Sequence, residues 1–256
     1  MSVESLTVCA ARPRTVTTYP FLSVVVPTYN EAGNIAPFLE ALRTGLGSAA
    51  GTGYEVIVVD DESPDGTADI AEQFSANWPN LRVVRRAGER GLATAVVRGW
   101  QAARGDLLAT INADFQHPPA ILAEMLAKMD GADLVVATRY TAAGSVGRFP
   151  LHRQFLSTGA RRIGELLLPH VFGRVSDPLS GCYMIRRRAI EDIELRPAGF
   201  KTLIEVLARG RVETVAECGY TMQKRRSGKS NVKLYHWFAY VKQLRRIQNE
   251  TGRRPS

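Results

Sequence analysis

The chain has 256 residues, of which 45% are hydrophobic, and its formal net charge is +8 at pH 7. This length suits one large α/β domain, with or without an appendage, and it buries a substantial core without crosslinks. Three scattered cysteines (Cys9, Cys182 and Cys218) exclude a disulfide framework or a zinc site and indicate a reducing, cytosolic compartment. Apolar runs all fall short of the roughly 20 residues that span a bilayer.

Strand-like apolar runs alternate with helical patterns through the first 137 residues. In chain order the predicted strands are 21–26, 55–59, 81–85, 106–111 and 133–137, and the predicted helices are 31–46, 67–76, 92–103 and 119–129. This alternation predicts an α/β fold with a mainly parallel central sheet and helices on both faces. Right-handed crossovers then place every strand-to-helix loop along one edge of the sheet.

The second half of the chain is less regular. It contains a predicted helix at 151–168 that Pro169 stops, a strand at 182–185, a helix at 200–208 and a strand at 214–221. A further helical pattern over 232–247 carries Trp237 and Phe238 beside cations. It is typical of an interfacial helix on anionic lipid, or of an amphipathic helix packed on the protein body.

Positive charge is concentrated at the C-terminus. Residues 222–256 contain ten Lys or Arg residues and one Glu, so the remainder of the chain is close to neutral. A basic tail on a near-neutral body indicates an anionic partner, which is a nucleic acid, a membrane surface or a phosphorylated substrate.

Polar residues cluster in the loops that follow three predicted strands. These loops are 27–31, 60–66 and 112–114, and each contains at least one carboxylate. Because the loops share one edge, we expect the acids to converge on one crevice. Carboxylates also favour helix N-termini, and Asp65 before Gly66 fits such a cap.

The loop after the fourth strand presents oxygen ligands. Asp114 and Gln116 follow the apolar run 107–111, and Asn112 offers a third oxygen. Hard divalent cations prefer such ligands. The alternative is an ordinary capped turn, because Asp and Pro are common turn residues.

Several enzyme classes are excluded by missing motifs. The chain has no Walker pattern, no G-x-G-x-x-G after its first strand and no nucleophile elbow. What remains is a crevice of carboxylates with outlying arginines at positions 139, 148, 153 and 225. This combination suits a nucleotide diphosphate held through a metal ion, with arginines on further phosphate oxygens.

Five segments together carry a family resemblance. They are 26–31, 59–67 (which ends in Ser-Pro-Asp-Gly-Thr), 113–119 (which ends in Gln-His-Pro-Pro), 176–181 and 225–230. From about residue 21 to 235 the chain resembles family-2 glycosyltransferases of the GT-A fold, and more narrowly the dolichol- or polyprenol-phosphate mannose synthases. Residues 1–20 have neither a hydrophobic signal core nor a periodic pattern, and we interpret them as a loose N-terminal extension. The resemblance implies a catalytic domain at 21–221 and a closing loop within the basic region 222–256, whose own pattern predicts an amphipathic tail.

The resemblance also implies an activity. Such enzymes transfer mannose from GDP-mannose to a polyprenyl (dolichyl) phosphate with inversion, using a divalent metal, Mg²⁺ or Mn²⁺. We therefore expect a nucleotide sugar donor, a lipid phosphate acceptor and an anionic membrane surface as partners, and no nucleic acid. The expected location is the cytoplasmic face of a membrane, with peripheral attachment.

Donor-side roles follow from the same resemblance. Pro27, Tyr29 and Glu31 would line the nucleotide pocket, and Asp61 would face the base. Asp114 and Gln116 would sit at the metal and the diphosphate. Asn112 would be a neutral ligand and Ala113 a further donor contact.

Acceptor-side roles are implied as well. Arg139 would reach the phosphates of the donor or of the acceptor, with Arg153 and Ser157 on the acceptor side. Arg225 and Ser230 would come from a loop that closes over the site. Among all these residues Asp114, Arg139 and Arg225 are the predicted catalytic ones.

Two departures from the family pattern keep alternatives open. The family usually has Asp where this chain has Asn112, and Lys where it has Asn231. The alternatives are a UDP-hexose-dependent transferase for the same lipid class, a catalytically weak nucleotide-sugar-binding protein, and a nucleic-acid-binding module that uses the basic tail. The last leaves the clustered acids unexplained, because they repel phosphate.

Overall fold

A seven-stranded sheet forms the centre of the protein. The computed structural model describes residues 6–8, 22–51, 53–145, 147, 151–197, 201–228 and 234–251, with the backbone alone for 6, 151–156, 234–236 and 251. Within these ranges the strands are β1 (Leu6–Thr7), β2 (Leu22–Thr28), β3 (Tyr54–Asp60), β4 (Leu81–Arg85), β5 (Leu107–Thr110), β6 (Leu134–Thr138), β7 (Tyr183–Arg186), β8 (Glu194–Leu195) and β9 (Val215–Gly219).

The sheet order is β4-β3-β2-β5-β7-β6-β9. Only β7 runs antiparallel to its two neighbours, β5 and β6, among the strand pairs of this sheet that the structure describes. The mainly parallel α/β architecture predicted from the sequence is therefore confirmed. As a consequence β2, β3, β5, β6 and β9 all end at the same edge.

Helices cover both faces of this sheet. They are α1 (Ala32–Ala50), α2 (Thr67–Ser75), α3 (Leu92–Ala102), α4 (Ile121–Lys128), α5 (Leu151–Leu167), α6 (Pro169–Phe172), α7 (Thr202–Arg209) and α8 (Leu234–Thr251). All seven residues of β2 and of β3 are buried. Uninterrupted runs of Val and Ile suit strands that are covered on both faces, which explains why these segments form the centre.

Two features of the fold differ from the predicted elements. The predicted helix at 119–129 begins later, at Ile121, because the carbonyls of Pro118 and Pro119 accept hydrogen bonds from Ile121 and Leu122 in a turn. A small second sheet pairs β1 with β8, so Leu6 lies opposite Leu195.

The C-terminal helix α8 packs mainly on the protein. Leu244 and Ile247 are fully buried, and the Tyr240 hydroxyl donates to the carbonyl of Ala160 on α5 at 2.7 Å. Phe238 instead faces outward and is 71% exposed. Trp237 and Val241 are partly buried against the core, so α8 packs on the protein body, which is one of the two predicted alternatives for this helix. None of the helices in the described ranges is long and apolar enough to cross a bilayer.

Candidate active site

The loops at the shared strand edge have strained backbones. Asn30 follows β2, Glu62 follows β3 and Phe115 follows β5, and all three have a positive φ, between 52° and 62°. Non-glycine residues adopt this conformation at a cost of about 1–3 kcal/mol, and such residues concentrate at functional sites. Three of the four non-glycine residues with a positive φ in the described ranges therefore lie at the edge predicted to hold the site, and the fourth, Asp192, lies just before β8.

Arg225 joins two acidic loops of this edge. Its Nη1 lies 2.8 Å from Oε1 of Glu31, after β2, and its Nη2 lies 2.9 Å from Oδ2 of Asp114, after β5. Asp114 is 3% exposed and Glu31 is 9% exposed. Burial raises the pKa of both carboxyl groups, while Arg225 opposes the rise.

The segment that carries Arg225 lies across the strand edge. The Gln223 amide donates to the carbonyl of Gln116 at 3.1 Å, and the carbonyl of Ser227 accepts from Nδ2 of Asn34 at 3.2 Å. The same Asn34 nitrogen lies 2.5 Å from Oε2 of Glu31. Residues 222–228 thus form a closing segment that contacts the loops after both β2 and β5.

The acids after β3 have other partners. Asp60 accepts from the Thr28 hydroxyl at 2.8 Å and from the Ser63 amide at 2.8 Å, so it ties the β2 and β3 ends together. Asp65 accepts from the amides of Ala32 and Thr67 at 3.0 and 3.1 Å. Asp65 therefore stabilises the start of α1 as well as that of α2.

Asp61 is held by a buried arginine. Arg86, 3% exposed, donates to it from Nε at 2.7 Å and from Nη2 at 2.5 Å, and the Gly91 amide donates at 2.8 Å. Burial raises the pKa of Asp61, while Gly91 and Arg86 oppose the rise. In this state Asp61 positions the loop between β4 and α3, and it lies apart from the Glu31–Arg225–Asp114 bridge.

Arg139 lies at the end of β6 and forms a second ion pair. Its Nε and Nη2 lie 2.8 and 3.1 Å from the two carboxylate oxygens of Asp177, in a bidentate arrangement. Nη1 contacts the thioether sulfur of Met222 at 3.6 Å, which is a weak acceptor. Asp177 raises the pKa of Arg139 against the effect of burial, so the guanidinium stays charged.

The predicted metal ligands share the loop after β5. Oδ1 of Asp114 accepts from the Gln116 amide at 3.0 Å, while Asn112 and Gln116 are half-buried. No group of three or more His, Cys, Asp or Glu side chains within the described ranges forms a metal cluster. One carboxylate with amide oxygens fits a hard cation whose other ligands are substrate phosphates and water, which is the usual Mg²⁺ arrangement.

The remaining predicted residues are placed as follows. Pro27 and Ala113 are buried, and the Tyr29 ring has the Arg90 guanidinium 4.8 Å from its centre. Ser157 is half-buried on α5. The side chain of Arg153 and residues Arg148, Ser230 and Asn231 lie outside the described residues.

Several residues of this edge were missed by the sequence reasoning. Arg86 follows β4 directly, so its place after a predicted strand was the available signal. Asn34 lies three residues after Glu31 on the same helix face, which is ordinary helical spacing. Tyr220 contacts His117 of the loop after β5 only through tertiary packing, and no local pattern marks it. Lys201, which the sequence offers either as a contact for the acceptor phosphate or as an ordinary surface lysine, donates to the carbonyl of Leu179.

Comparison with known sequences gives consistent matches. Residues 23–194 match the protein family described as "Glycosyl transferase family 2". Dolichol-phosphate mannosyltransferases from Pyrococcus furiosus and Mycosarcoma maydis are 36% and 32% identical over 90% and 88% of this chain. The chain spans 64% of the length of the first relative and 78% of the second.

Solved structures with a similar fold include glucosyl-3-phosphoglycerate synthase from Mycobacterium tuberculosis, determined with Mn²⁺, UDP and glucosyl-3-phosphoglycerate. The TM-score is 0.65 at 22% identity, and the match covers 98% of this chain and 89% of the other. A second structure of that enzyme, with Mg²⁺ and UDP, matches with a TM-score of 0.63. At this identity the likeness concerns the fold.

Proposed function

Because the chain belongs to glycosyl transferase family 2, and within it to the dolichol-phosphate mannosyltransferase type, we propose that it transfers mannose from GDP-mannose to a polyprenyl phosphate. Its fold is GT-A, as predicted. The observation that carries the proposal is the Arg225 bridge between Glu31 and Asp114 at the strand edge. It puts two carboxylates and a guanidinium where open α/β sheets bind their ligands.

The proposed reaction is a single displacement. An oxygen of the acceptor phosphate attacks the anomeric carbon of mannose from the face opposite the diphosphate. A new carbon–oxygen bond forms, the bond to the diphosphate breaks with its electron pair, and GDP leaves. A phosphate monoester is already anionic near neutral pH, with a second pKa of roughly 6. The protein therefore needs no general base, and its task is to hold two anions close together.

Charged residues at the strand edge would hold these two anions. Arg225 and Arg139 would neutralise phosphate oxygens, the first from the closing segment and the second from the end of β6. Asp114, with Gln116 and Asn112, would hold a divalent cation, Mg²⁺ or Mn²⁺, which when bound neutralises charge on the departing diphosphate. Pro27, Tyr29, Glu31 and Asp61 would form the nucleotide pocket, Ala113 would contact the donor, and Arg153, Ser157 and Ser230 would serve the acceptor side.

Calorimetric titration of donors tests the nucleotide part of this proposal. We expect GDP-mannose to bind more tightly than UDP-glucose, and Mn²⁺ to strengthen that binding, because a metal held by Asp114 and Gln116 would neutralise charge on the diphosphate. Tighter binding of UDP-glucose would leave the fold assignment unchanged but would contradict GDP-mannose as the donor. Metal-independent binding would contradict the proposed role of Asp114 and Gln116.

We further propose that the protein attaches peripherally to an anionic membrane at the cytoplasmic face. The support is an outward-facing strip on α8 formed by Phe238, Lys242 and Arg245, all exposed. Leu166 on the neighbouring α5 is 81% exposed. An apolar side chain beside cations is the composition of a surface that binds anionic lipid. In this proposal residues 21–221 form the catalytic domain, and 222–256 provide the closing loop and the tail.

A further inference from the structure

The closing segment, residues 222–228, contacts each residue of the loop 114–116 that contains two of the predicted metal ligands. The Arg226 amide donates to the carbonyl of Asp114 at 3.3 Å, and the Gln223 amide donates to the carbonyl of Gln116 at 3.1 Å. The Arg226 guanidinium lies 5.5 Å from the centre of the Phe115 ring. The segment therefore covers this loop through its backbone as well as through its side chains.

Both carboxylate oxygens of Asp114 have partners in this arrangement. Oδ1 accepts from the Gln116 amide at 3.0 Å, and Oδ2 lies 2.9 Å from Nη2 of Arg225. Asp114 is 3% exposed, so water screens charges around it only weakly. A divalent cation bound to Asp114 would stand beside the Arg225 guanidinium and be repelled by it. Arg225 and a cation are therefore alternative partners of this carboxylate.

The closing segment has a docking point on the first turn of α1. Nδ2 of Asn34, which is 1% exposed, donates to the carbonyl of Ser227 at 3.2 Å. A Cβ on Gly33 would lie 2.8 Å from Oγ and 3.3 Å from Cβ of Ser227. Glycine at position 33 thus permits the close approach of Ser227. Because Ser227 is two residues from Arg225, docking at this point also fixes where Arg225 can reach.

We propose that residues 222–228 act as a latch: Ser227, docked on Gly33 and Asn34, holds Arg225 on Asp114, and a divalent cation binds Asp114 only when the latch releases. This inference rests on the proposed function, because it takes Asp114 as a metal ligand. Release would also free Arg225 for phosphate oxygens. Coupling between two binding events is reciprocal, so a latch that weakens metal binding is itself loosened by the metal to the same degree.

The first test is titration of Mn²⁺ without nucleotide, with free Mn²⁺ measured by its electron paramagnetic resonance signal. Gly33→Gln places a side chain where Ser227 docks, and Gly45→Gln on the same helix is the control, because nothing lies within 4 Å of a Cβ at that position. Both variants gain helix propensity. Only Gly33→Gln should lower the Kd for Mn²⁺, by about fivefold or more, while Gly45→Gln stays within about twofold of the wild type.

The second readout is tryptic cleavage after Lys224, Arg225 and Arg226, which follows the population of the released segment. Gly33→Gln should be cleaved there faster than the wild type and Gly45→Gln. Mn²⁺ should accelerate this cleavage in the wild type but not in Asp114→Asn. If Gly33→Gln fails to fold, Arg225→Met gives an independent answer, because it must also bind Mn²⁺ more tightly.

Equal Kd values for Mn²⁺ in the wild type and the variants, or no binding by any of them, would overturn the latch. Protection of the segment from trypsin by Mn²⁺ would overturn it as well. Transfer of mannose to lipid by a protein with unchanged Kd values would contradict the latch alone. A lowered Kd in Gly33→Gln without any transfer by the wild type would leave the latch in place and contradict the proposed function.

Discussion

Arg225 brings together carboxylates from two distant loops. Glu31 lies 194 residues before it in the sequence, and Asp114 lies 111 residues before it. A buried carboxylate without a partner is costly, so the pair needs a cation. Arg225 supplies that charge here, and a metal with donor phosphates offers the same kind of neutralisation. If the donor and a metal bind at Asp114, as proposed, the bridge would couple donor binding to the position of residues 222–228.

Asn112 is the residue whose substitution tests the metal proposal. Its side-chain nitrogen Nδ2 faces Gly181, where an added Cβ would lie 3.0 Å away, and the residue is half-buried. Asn112→Asp keeps the shape and adds a carboxylate beside Asp114. We expect the Kd for Mn²⁺, measured with GDP bound, to fall about tenfold. Asn30→Asp, on an exposed residue of the same edge, is the control for a general charge effect, and equal changes in both variants would contradict the prediction.

If the acceptor phosphate binds beside Arg139, as proposed, the neighbouring Lys201 predicts a pH dependence of acceptor binding, measured with farnesyl phosphate. Desolvation lowers the pKa of its ammonium group from 10.5 to about 8, with Arg139 acting in the same direction and Asp177 opposing both. The ammonium is charged below pH 8 and loses its proton above it, so farnesyl phosphate affinity should fall as the pH rises from 7 to 9.5. The acceptor phosphate is fully ionised over this range. Titrations of wild type and Lys201→Met should show a flatter profile for the variant, and parallel profiles would count against the lysine.

The position of the acids at the strand edge was predictable from the sequence, but their ion-pair partners were not. The loops containing Glu31, Asp61 and Asp114 follow predicted strands, so their shared edge was predictable from strand–helix alternation. Arg225 pairs with Glu31 and Asp114, and Arg86 pairs with Asp61. These pairings depend on side-chain geometry across the sheet. No local pattern encodes such contacts.

At the scale of elements, close approach between α3 and β2 fixes the helix on the sheet. A Cβ on Gly99 would lie 2.4 Å from Cγ1 of the fully buried Val25. Gly99→Ala should therefore lower the free energy of unfolding by about 1–3 kcal/mol, because a packed core has no room for the methyl group. Denaturant titration measures this change.

Gly45→Ala in α1 is the matched control for Gly99→Ala. Nothing lies within 4 Å of the position that its Cβ would take. Alanine in a helix interior is favoured over glycine by roughly 0.5–1 kcal/mol, so this variant should be more stable than the wild type. Similar effects of the two substitutions would contradict the packing argument.

Element types were predictable because buried parallel strands read as continuous apolar runs. The order of strands was less accessible. β7 enters between β5 and β6 in the antiparallel direction, and β1 pairs with β8 across most of the chain. Both arrangements are non-local, and hydrophobic periodicity carries no information about which strands become neighbours.

At the scale of the whole molecule, helix α8 of the basic C-terminal region has a buried face and an exposed face. Its buried face packs Tyr240, Leu244 and Ile247 into the core, so deleting the tail would also disturb the fold. Its outward face presents Phe238, Lys242 and Arg245. Point substitutions on that face are therefore the sharper test of membrane attachment.

Co-sedimentation with phosphatidylserine vesicles gives that test. The double variant Phe238→Ser, Leu166→Ser should pellet less than the wild type, because apolar burial and charge together drive interfacial binding. Ala49→Ser, an exposed position on α1, should pellet like the wild type. Neutral phosphatidylcholine vesicles should retain less of every protein. Equal pelleting of the double variant and the wild type would contradict this surface.

The most direct measurement of the central claim is transfer of label into a lipid phase. The full-length protein would be incubated with radiolabelled GDP-mannose, a polyprenyl phosphate and Mn²⁺, beside a matched reaction with UDP-glucose and one with Asp114→Asn. We predict that label enters the organic phase from GDP-mannose with the wild type, and is lost with Asp114→Asn because this variant lacks the carboxylate that we propose as the metal ligand. Label from UDP-glucose alone, or none from either donor despite nucleotide binding, would contradict the proposed mannosyl transfer.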